Sequence, residues 1–428
     1  MFPNKVVDVL IIGGGPAGLA VASTIVRQLH TAIVFDSGVY RNGRIEHMHG
    51  VPGFDHVEPE VFRTKAKGDL LRRYDTVEFK KAYIEEVKKL DNGNFQVTDG
   101  WLKVYEGRKV VLTSGVRDIL PQIEGYDYCW GRGIFHCPFL HGYEERGGES
   151  AGLFAFETIA NAGNISQAGN MVLQLSKNLR IYTNGNEDVA TEVQANEWRS
   201  DFRTRVTIEK RVIRSLRMVS YEASEVLVTL EDGTQIKESF IVSFPLNRLA
   251  AFVDGVLLTG LLHETHEPII EINGPFVEQL GLETGPEGEI KVNPRSNETS
   301  VHGVFAAGDA ASQMRVVPNA IYGGSLAGSG LIAQLQAEEP ILKYQSSLDA
   351  PFGTGSTPAI LLYSALISSS SAYFREIVAL HGSPTNAPAT VLRQDVEGGD
   401  GEDRLVIRVG ELQVRRVCLA VERDVPDA

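Results

Sequence analysis

Val6-Val7-Asp8-Val9-Leu10-Ile11-Ile12 runs without a break into Gly13-Gly14-Gly15-Pro16-Ala17-Gly18, and this junction decides the fold. The apolar run reads as a short buried strand, and the glycines fall in a G-x-G-x-x-G pattern at Gly13, Gly15 and Gly18. An Ala-rich helical stretch follows from Leu19 to Leu29. A second apolar strand, Thr31-Ala32-Ile33-Val34-Phe35, then ends on Asp36. In such a unit the first glycine makes the tight turn and the second lets backbone approach a pyrophosphate. The third lets the helix pack on the strand. The helix N-terminus, opened by Pro16 and Ala17, offers unpaired N–H groups and a positive dipole end to phosphate. Asp36, with Ser37 beside it, stands where an acid meets the ribose hydroxyls, roughly 20 residues past the glycines. A glycine pattern alone would be a weak signal; strand, glycines, helix, strand and terminal acid together predict a dinucleotide site.

A second signal lies far downstream. Thr299-Ser300-Val301-His302-Gly303-Val304-Phe305-Ala306-Ala307-Gly308-Asp309-Ala310-Ala311 is a strand of small residues ending in Gly-Asp. An Asp at that strand end can accept a hydrogen bond from a ribityl hydroxyl. A helix starting near Asn319-Ala320 can aim N–H groups at a flavin's pyrimidine edge. A third mark, Arg108 to Gly115, suits a strand running back toward the cofactor. Two halves of one nucleotide-binding domain, separated by an insertion, argue for FAD. The fold class expected is therefore α/β, with a doubly wound parallel sheet split by a central domain.

Composition narrows the function classes. The chain has 428 residues, 43% hydrophobic and 22% charged, which excludes a collagenous or wholly disordered chain and predicts two or three domains. Lys and Arg total 41 against 55 Asp and Glu, a net charge of −14 that repels phosphate backbones and anionic lipid. The densest basic stretch, Arg203 to Arg217, is interleaved with apolar residues and reads as strand faces. No nucleic-acid or membrane partner is expected, and no apolar run reaches the ~18–20 residues that span a bilayer. The N-terminus lacks a secretory pattern, so a cytoplasmic location is expected. Cys129, Cys137 and Cys418 cannot build a disulfide framework, and no C-x-x-C pair is present for zinc or dithiol chemistry. No metal ligands are assigned.

Three further stretches carry a family likeness. Asp36-Ser37-Gly38-Val39-Tyr40-Arg41-Asn42, His47-Met48-His49-Gly50-Val51-Pro52-Gly53-Phe54-Asp55-His56 and His136-Cys137-Pro138-Phe139-Leu140-His141-Gly142-Tyr143-Glu144-Glu145-Arg146-Gly147 resemble the thioredoxin-reductase-like flavoproteins. Within these, they resemble the fungal dithiol oxidases, such as the gliotoxin-type family. The resemblance covers roughly residues 6–340 and implies bound FAD, homodimers, a small fungal metabolite as substrate and O2 as electron acceptor. It also implies that Gly115, Arg41, Asn42 and His49 belong to the cofactor site, with His49 a cofactor contact.

One departure bears on mechanism. The family carries C-x-x-C before its Gly-Tyr-Glu segment, and its second cysteine lies against the flavin. Here the residues are Cys137-Pro138-Phe139-Leu140. A leucine forms neither disulfide nor thiolate. Cys137 then reads either as an inert relic or as a lone thiol that meets substrate. His136 and His141 flank the leucine and are candidate proton acceptors, since imidazole titrates near neutrality. A helix-capping or core role is the competing reading for each. Phe139 and Leu140 are expected to shape the pocket.

The central region reads as a nucleotide-binding domain without its motif. Ser150 to Phe156 reads as its first strand, yet Glu157-Thr158-Ile159-Ala160-Asn161-Ala162-Gly163 follows in place of a glycine fingerprint. The second strand, Leu179 to Thr183, runs into the acidic turn Asn184-Gly185-Asn186-Glu187-Asp188, a poor home for a 2′-phosphate. The domain reading is a first FAD segment over 1–147, a central NAD(P)-type domain over 148–273 that has lost nicotinamide binding, and a second FAD segment over 274–338. An insertion is expected at about 245–265, and a C-terminal extension at 339–428. That extension reads as a small unit, a dimer-wrapping arm or translated non-coding sequence, with a helical pattern at 360–380 and a hairpin over Leu405–Val409 and Leu412–Val421. Three functions are carried forward: an FAD-dependent oxidase without a dithiol relay, a thiol or dithiol oxidase driven by substrate thiols, and a catalytically silent flavoprotein that binds a metabolite or partner.

Overall fold

The structure is a computed structural model. It describes residues 6–156, 162–195, 203–220, 222–244 and 269–338, with short strands at 246–247, 252–253, 256–257, 377–378 and 391–392. Strands β1 (Val7–Ile12), β2 (Ala32–Asp36) and β3 (Val77–Lys81) lie parallel, with Ile12 opposite Phe35 and Asp36 opposite Lys81. Helices α1 (Pro16–Ile25) and α2 (Pro59–Arg73) make the crossovers. β4 (Ile84–Lys89) and β5 (Phe95–Asp99) form an antiparallel meander with β6 (Val104–Leu112), which also runs parallel to β1. β6 divides one edge between two partners. Residues 104–107 pair with β5, and residues 110–112 pair with β20 (Val304–Ala306) from far along the chain.

Period-2 alternation sorts these strands onto two cores. Val9, Ile11, Val34 and Val111 face α1 and α8 (Val317–Glu338), packing on Val21, Ile25, Leu331 and Leu335. Leu10, Ile12, Ile33 and Phe35 face the other way, onto Phe95, Val97 and the Phe276 ring of α7 (Phe276–Leu280). The one acid in β1 is fully used: the Asp8 carboxylate accepts from Thr31 N (2.8 Å), Thr31 Oγ1 (2.9 Å) and Arg108 (3.1 Å). Burial opposes its charge, but His30, Thr31 and Arg108 together hold its carboxyl well below the ordinary carboxylate range. A depressed acid stabilises the fold above the unfolded carboxylate value, and that contribution is lost as pH falls through the folded one. Asp8→Ala is therefore expected to cost about 2–3 kcal/mol at pH 7, from charge-assisted hydrogen bonds. The gap from the parent should narrow in urea melts run at progressively lower pH.

β7 (Val116–Ile119) leads out of this sheet. The chain joins the central sheet earlier than the expected break at 147. α3 (Tyr126–Cys129) packs there through Tyr126, whose hydroxyl donates to Ser243 Oγ at 2.9 Å, and β8 (Ile134–Phe135) pairs with β15 (Ile241–Ser243). After α4 (Pro138–His141) come β9 (Ala151–Phe154), α5 (Ala162–Leu175), β10 (Leu179–Tyr182), α6 (Glu187–Ala195) and β11 (Val206–Glu209). The central sheet is parallel throughout, in the order β11-β10-β9-β15-β8. An antiparallel sheet of β12 (Ile213–Met218), β13 (Val226–Leu230) and β14 (Gln235–Glu238) closes one side. Residues 203–217 thus fall largely on strands, as their alternation predicts.

The return path holds β16 (Leu246–Asn247), the pair β17 (Phe252–Val253) and β18 (Val256–Leu257), and β19 (Ile269–Ile272), which pairs antiparallel with β7. In the C-terminal unit β21 (Ile377–Val378) pairs antiparallel with β22 (Val391–Leu392). Of the stretch 360–380, read as a mixed helical pattern broken at Ser368–Ser371, only 377–378 lies among the described residues, and there branched Ile and Val form a strand. The predicted hairpin over 405–421 lies outside the described residues, as does Cys418. Among the described residues no helix is long and apolar enough to cross a membrane.

Candidate functional site

Where β1 ends, the chain builds a cleft of about 1630 Å³ between the FAD-type sheet and the central sheet. This exceeds the roughly 300–1,000 Å³ of ordinary small-molecule pockets, leaving room for a dinucleotide. Gly13, Gly14 and Gly15 form its floor with Pro16 and Ala17. Gly13 sits at φ +119°, a conformation that side chains oppose, and Gly15 has open space where a Cβ would stand. α1 starts with no side-chain cap, so its first N–H groups are left for a ligand. Gly18 is off the wall, behind Gly13, where the packing role of the third glycine puts it.

Asp36 lies over Gly14 at the end of β2. It accepts from Gly38 N (3.0 Å) and the Tyr40 hydroxyl (2.7 Å), which leaves carboxylate lone pairs for ribose hydroxyls. Burial and then Asp36 push the Tyr40 phenol well above its usual range, so it remains a donor. Ser37, Asn42, His49, Gly115 and Ala320 also line the cleft, with Asn42 held by Arg63 at 3.2 Å. Asn319, between the lining residues Pro318 and Ala320, does not. α8 begins at Val317, two residues before the expected start. The Asn319 amide donates to Ser312 Oγ and Met314 O, both at 2.8 Å, in the loop that precedes the helix.

Arg41 and Asp309 meet in a way the sequence does not announce. Arg41 binds Asp118 of β7 through two bonds of 2.9 and 3.1 Å and Asp309 through a third of 3.2 Å. Burial draws the guanidinium down, but Asp118 and then Asp309 raise it more strongly, keeping it charged. Asp118 and Arg315 are cleft residues that motif reading missed. The available signal for Asp118 was the charged pair Arg117-Asp118 set between Val116 and Ile119-Leu120. The Arg315 Nε is buried with no hydrogen-bond partner, a donor left for a ligand.

At the far end, His136, Cys137 and Phe139 stand on the wall, and His141 does not. α4 turns His141 behind Phe135, on whose ring it stacks at 4.7 Å, with its Nδ1 buried and unpartnered. Burial lowers the His141 pKa, against a smaller upward pull from Glu144. His136 is pushed down to about 3, first by burial and then by Arg41, so its imidazole is neutral at physiological pH. Burial raises the Cys137 thiol, which keeps it protonated. Cys129 is buried away from the cleft and pushed up to about 11 by burial. Among the described residues, then, one thiol faces the cleft.

A family model described as pyridine nucleotide-disulphide oxidoreductase matches residues 7–242 and 269–324. The chain belongs to this family. The interruption of the match falls at 243–268, over the segment read as an insertion. The thioredoxin reductase tcpT of Claviceps purpurea (strain 20.1) is 35% identical over 339 residues, 79% of this chain and 97% of that protein. The thioredoxin reductase aclD of Aspergillus oryzae is 36% identical over 338 residues, 78% of this chain and 97% of that protein. Among solved structures, an oxidoreductase from Agrobacterium tumefaciens matches with TM-score 0.63 at 26% identity, over 78% of this chain and all of that one. This pyridine nucleotide-disulphide oxidoreductase is an FAD-dependent enzyme of thioredoxin-reductase-like type. The residues present fit the cofactor: a glycine floor, an uncapped helix N-terminus, Asp36 for ribose, Asp309 for the ribityl chain and an unpartnered Arg315 Nε at one cleft.

Proposed function

We propose that this enzyme oxidises a small molecule, of the fungal secondary-metabolite class, by taking electrons directly from the bound ligand without an enzyme dithiol. The observation that carries this reading is that, among the described residues, Cys137 is the single thiol on a wall otherwise suited to FAD. Bound FAD supplies a two-electron acceptor. Cys137, protonated by burial and without a second sulfur at position 140, is a wall residue and not a relay. His136 presents a neutral imidazole to the ligand. A conjugate acid near 3 makes it a weak base, so it orients substrate by hydrogen bonding. His141, behind Phe135, supports that wall and touches no ligand.

We infer O2 as the electron acceptor, with NADPH unused. The support is the central domain: β9 leads into no glycine fingerprint, and β10 ends at a small pocket walled by Asn184, Asn186, Glu187 and Asp188. Carboxylates there repel a phosphate dianion. The FAD-type segments and the central domain are assigned as the sequence divides them, except that the crossing into the central sheet is placed before β8. We also infer homodimers, from the family resemblance.

Anaerobic mixing tests the reading. NADPH should leave the 450 nm flavin band unchanged, and Cys137→Ala should still be bleached by the metabolite that accumulates when the gene is deleted. Stoichiometric bleaching by NADPH, or loss of ligand-driven bleaching in Cys137→Ala with flavin still bound, would overturn it. Bleaching of the parent protein by a small dithiol would assign the substrate to vicinal thiols.

A further inference from the structure

The histidines at 47, 49 and 56 take no proton or electron in the reaction just described, yet they converge. The loop that carries them closes on itself: Met48 N donates to Val57 O at 2.8 Å, and His56 N donates to Met48 O at 2.9 Å. That bridge sets His49 beside His56 across the loop, and His56 holds a left-handed backbone at φ +55°. The segment following α4 then lays Glu144 against both. His49 Nε2 lies 3.5 Å from Glu144 Oε1, and His56 Nδ1 lies 3.8 Å from the same oxygen. One ligand atom from each of the three residues fits within 4.8 Å of the others.

We propose that His49, His56 and Glu144 form a binding site for a divalent metal of the zinc class. Two imidazole nitrogens and one carboxylate are the donor set of three-ligand zinc sites, which leave a fourth position for water or a ligand. Tetrahedral zinc with bonds of ~2.0–2.1 Å holds neighbouring donors roughly 3.3–3.4 Å apart, within a few tenths of an ångström of two of the spacings here.

Two independent features point the same way. His49 Nε2 is buried and makes no hydrogen bond, although it faces Glu144, so a lone pair is aimed at an acid with nothing between them. The other nitrogen of that ring, Nδ1, faces Asp55 Oδ1 at 3.4 Å, and the same oxygen accepts from Gly50 N at 3.1 Å. A carboxylate on the far nitrogen selects the tautomer whose Nε2 is free to coordinate, the outer-shell arrangement that metal-binding histidines use. His47 stacks on His56 at 4.1 Å with rings 9° from parallel, and His141 meets the edge of His49 at 5.9 Å, so both ligand rings are braced. The site joins the loop of residues 48–57 to the segment after α4, beside the cleft that His49 also lines. Neither His56 nor Glu144 lines that cleft, so variants at these two positions read metal binding without altering the flavin wall.

The test uses untagged yellow holoprotein, stripped with chelator, dialysed and titrated with zinc chloride against a chromogenic chelator. One zinc per chain is expected. His56→Ala and Glu144→Gln should each weaken binding by ~100-fold or more, and Asp55→Asn by ~10–100-fold, with flavin content unchanged in all three. Absence of saturable zinc binding by the parent protein, or binding of unchanged strength in both His56→Ala and Glu144→Gln, would overturn the proposal. Should either variant lose its flavin, the parent stoichiometry and the other variant still decide the matter.

Discussion

Gly18→Ala is expected to yield a colourless protein that is poorly folded or strongly destabilised. A Cβ on Gly18 would stand 1.9 Å from the Gly13 carbonyl oxygen and 2.9 Å from Thr113 Oγ1. Neither obstacle can yield cheaply. The Gly13 carbonyl accepts from Thr113 Oγ1 at 3.0 Å, and the same hydroxyl is tied to Ile12 O at 2.9 Å. Relief requires α1 to back away from β1, which would open the core that Ala17, Val21 and Ile25 share with α8. Overpacking typically costs about 1–3 kcal/mol, and a backbone-on-backbone clash belongs at or beyond the top of that range. The ratio of 450 to 280 nm absorbance, with a thermal melt, measures both effects. Gly15→Ala supplies the contrast. Its Cβ meets nothing within 4 Å and projects at the cleft, so the protein should fold and melt near the parent temperature while holding flavin weakly. A yellow, normally stable Gly18→Ala would show that the third glycine is not a packing requirement.

Arg41→Ala is expected to be nearly as severe, for an electrostatic reason. The Arg41 side chain is 12% exposed and neutralises Asp118, 8% exposed, and Asp309, 21% exposed. Removing it leaves two carboxylates facing one another across a partly dry cleft, at a cost of about 3–5 kcal/mol for breaking a buried pair. It also frees Asp309 to swing away from the place proposed for the ribityl chain. Flavin retention after gel filtration and urea stability should fall together. The stability gap should shrink on acidification, since protonating one carboxylate removes the repulsion. Arg41→Lys should rescue only part of the loss, because an ammonium cannot hold Asp118 in a fork while reaching Asp309. Unchanged stability in Arg41→Ala would mean the pair is fully solvated.

What was legible in the chain was local. The turn from Ile12 to Gly18 encodes strand, turn and helix within a few residues, and Gly308-Asp309 encodes a second strand end, so the flavin fold could be read directly. Cleft residues near those turns followed. Contacts between distant segments did not. Arg41 reaches Asp118 and Asp309 across 77 and 268 positions, and no spacing rule reports such a meeting. His136 and His141 look equivalent as text, five positions apart, but the short α4 rotates one onto the wall and the other behind Phe135. The cluster of His49, His56 and Glu144 escaped for the same reason: its third member comes from another segment. The pairing of β8 with the central sheet was not legible because β8 has only two residues, Ile134 and Phe135, too few for periodicity to register.

The divided edge of β6 sets an order of assembly. During synthesis the parallel central sheet, whose last strand ends at Ser243, has left the ribosome before Val304 exists. Until β20 arrives, residues 110–112 of β6 present bare amides and carbonyls to solvent or to a chaperone, an open template for the wrong strand. Cofactor capture has to wait as well, since Asp309 emerges after β20. Nascent chains stalled short of residue 304 should therefore be colourless and prone to association, however complete their middle portion already is.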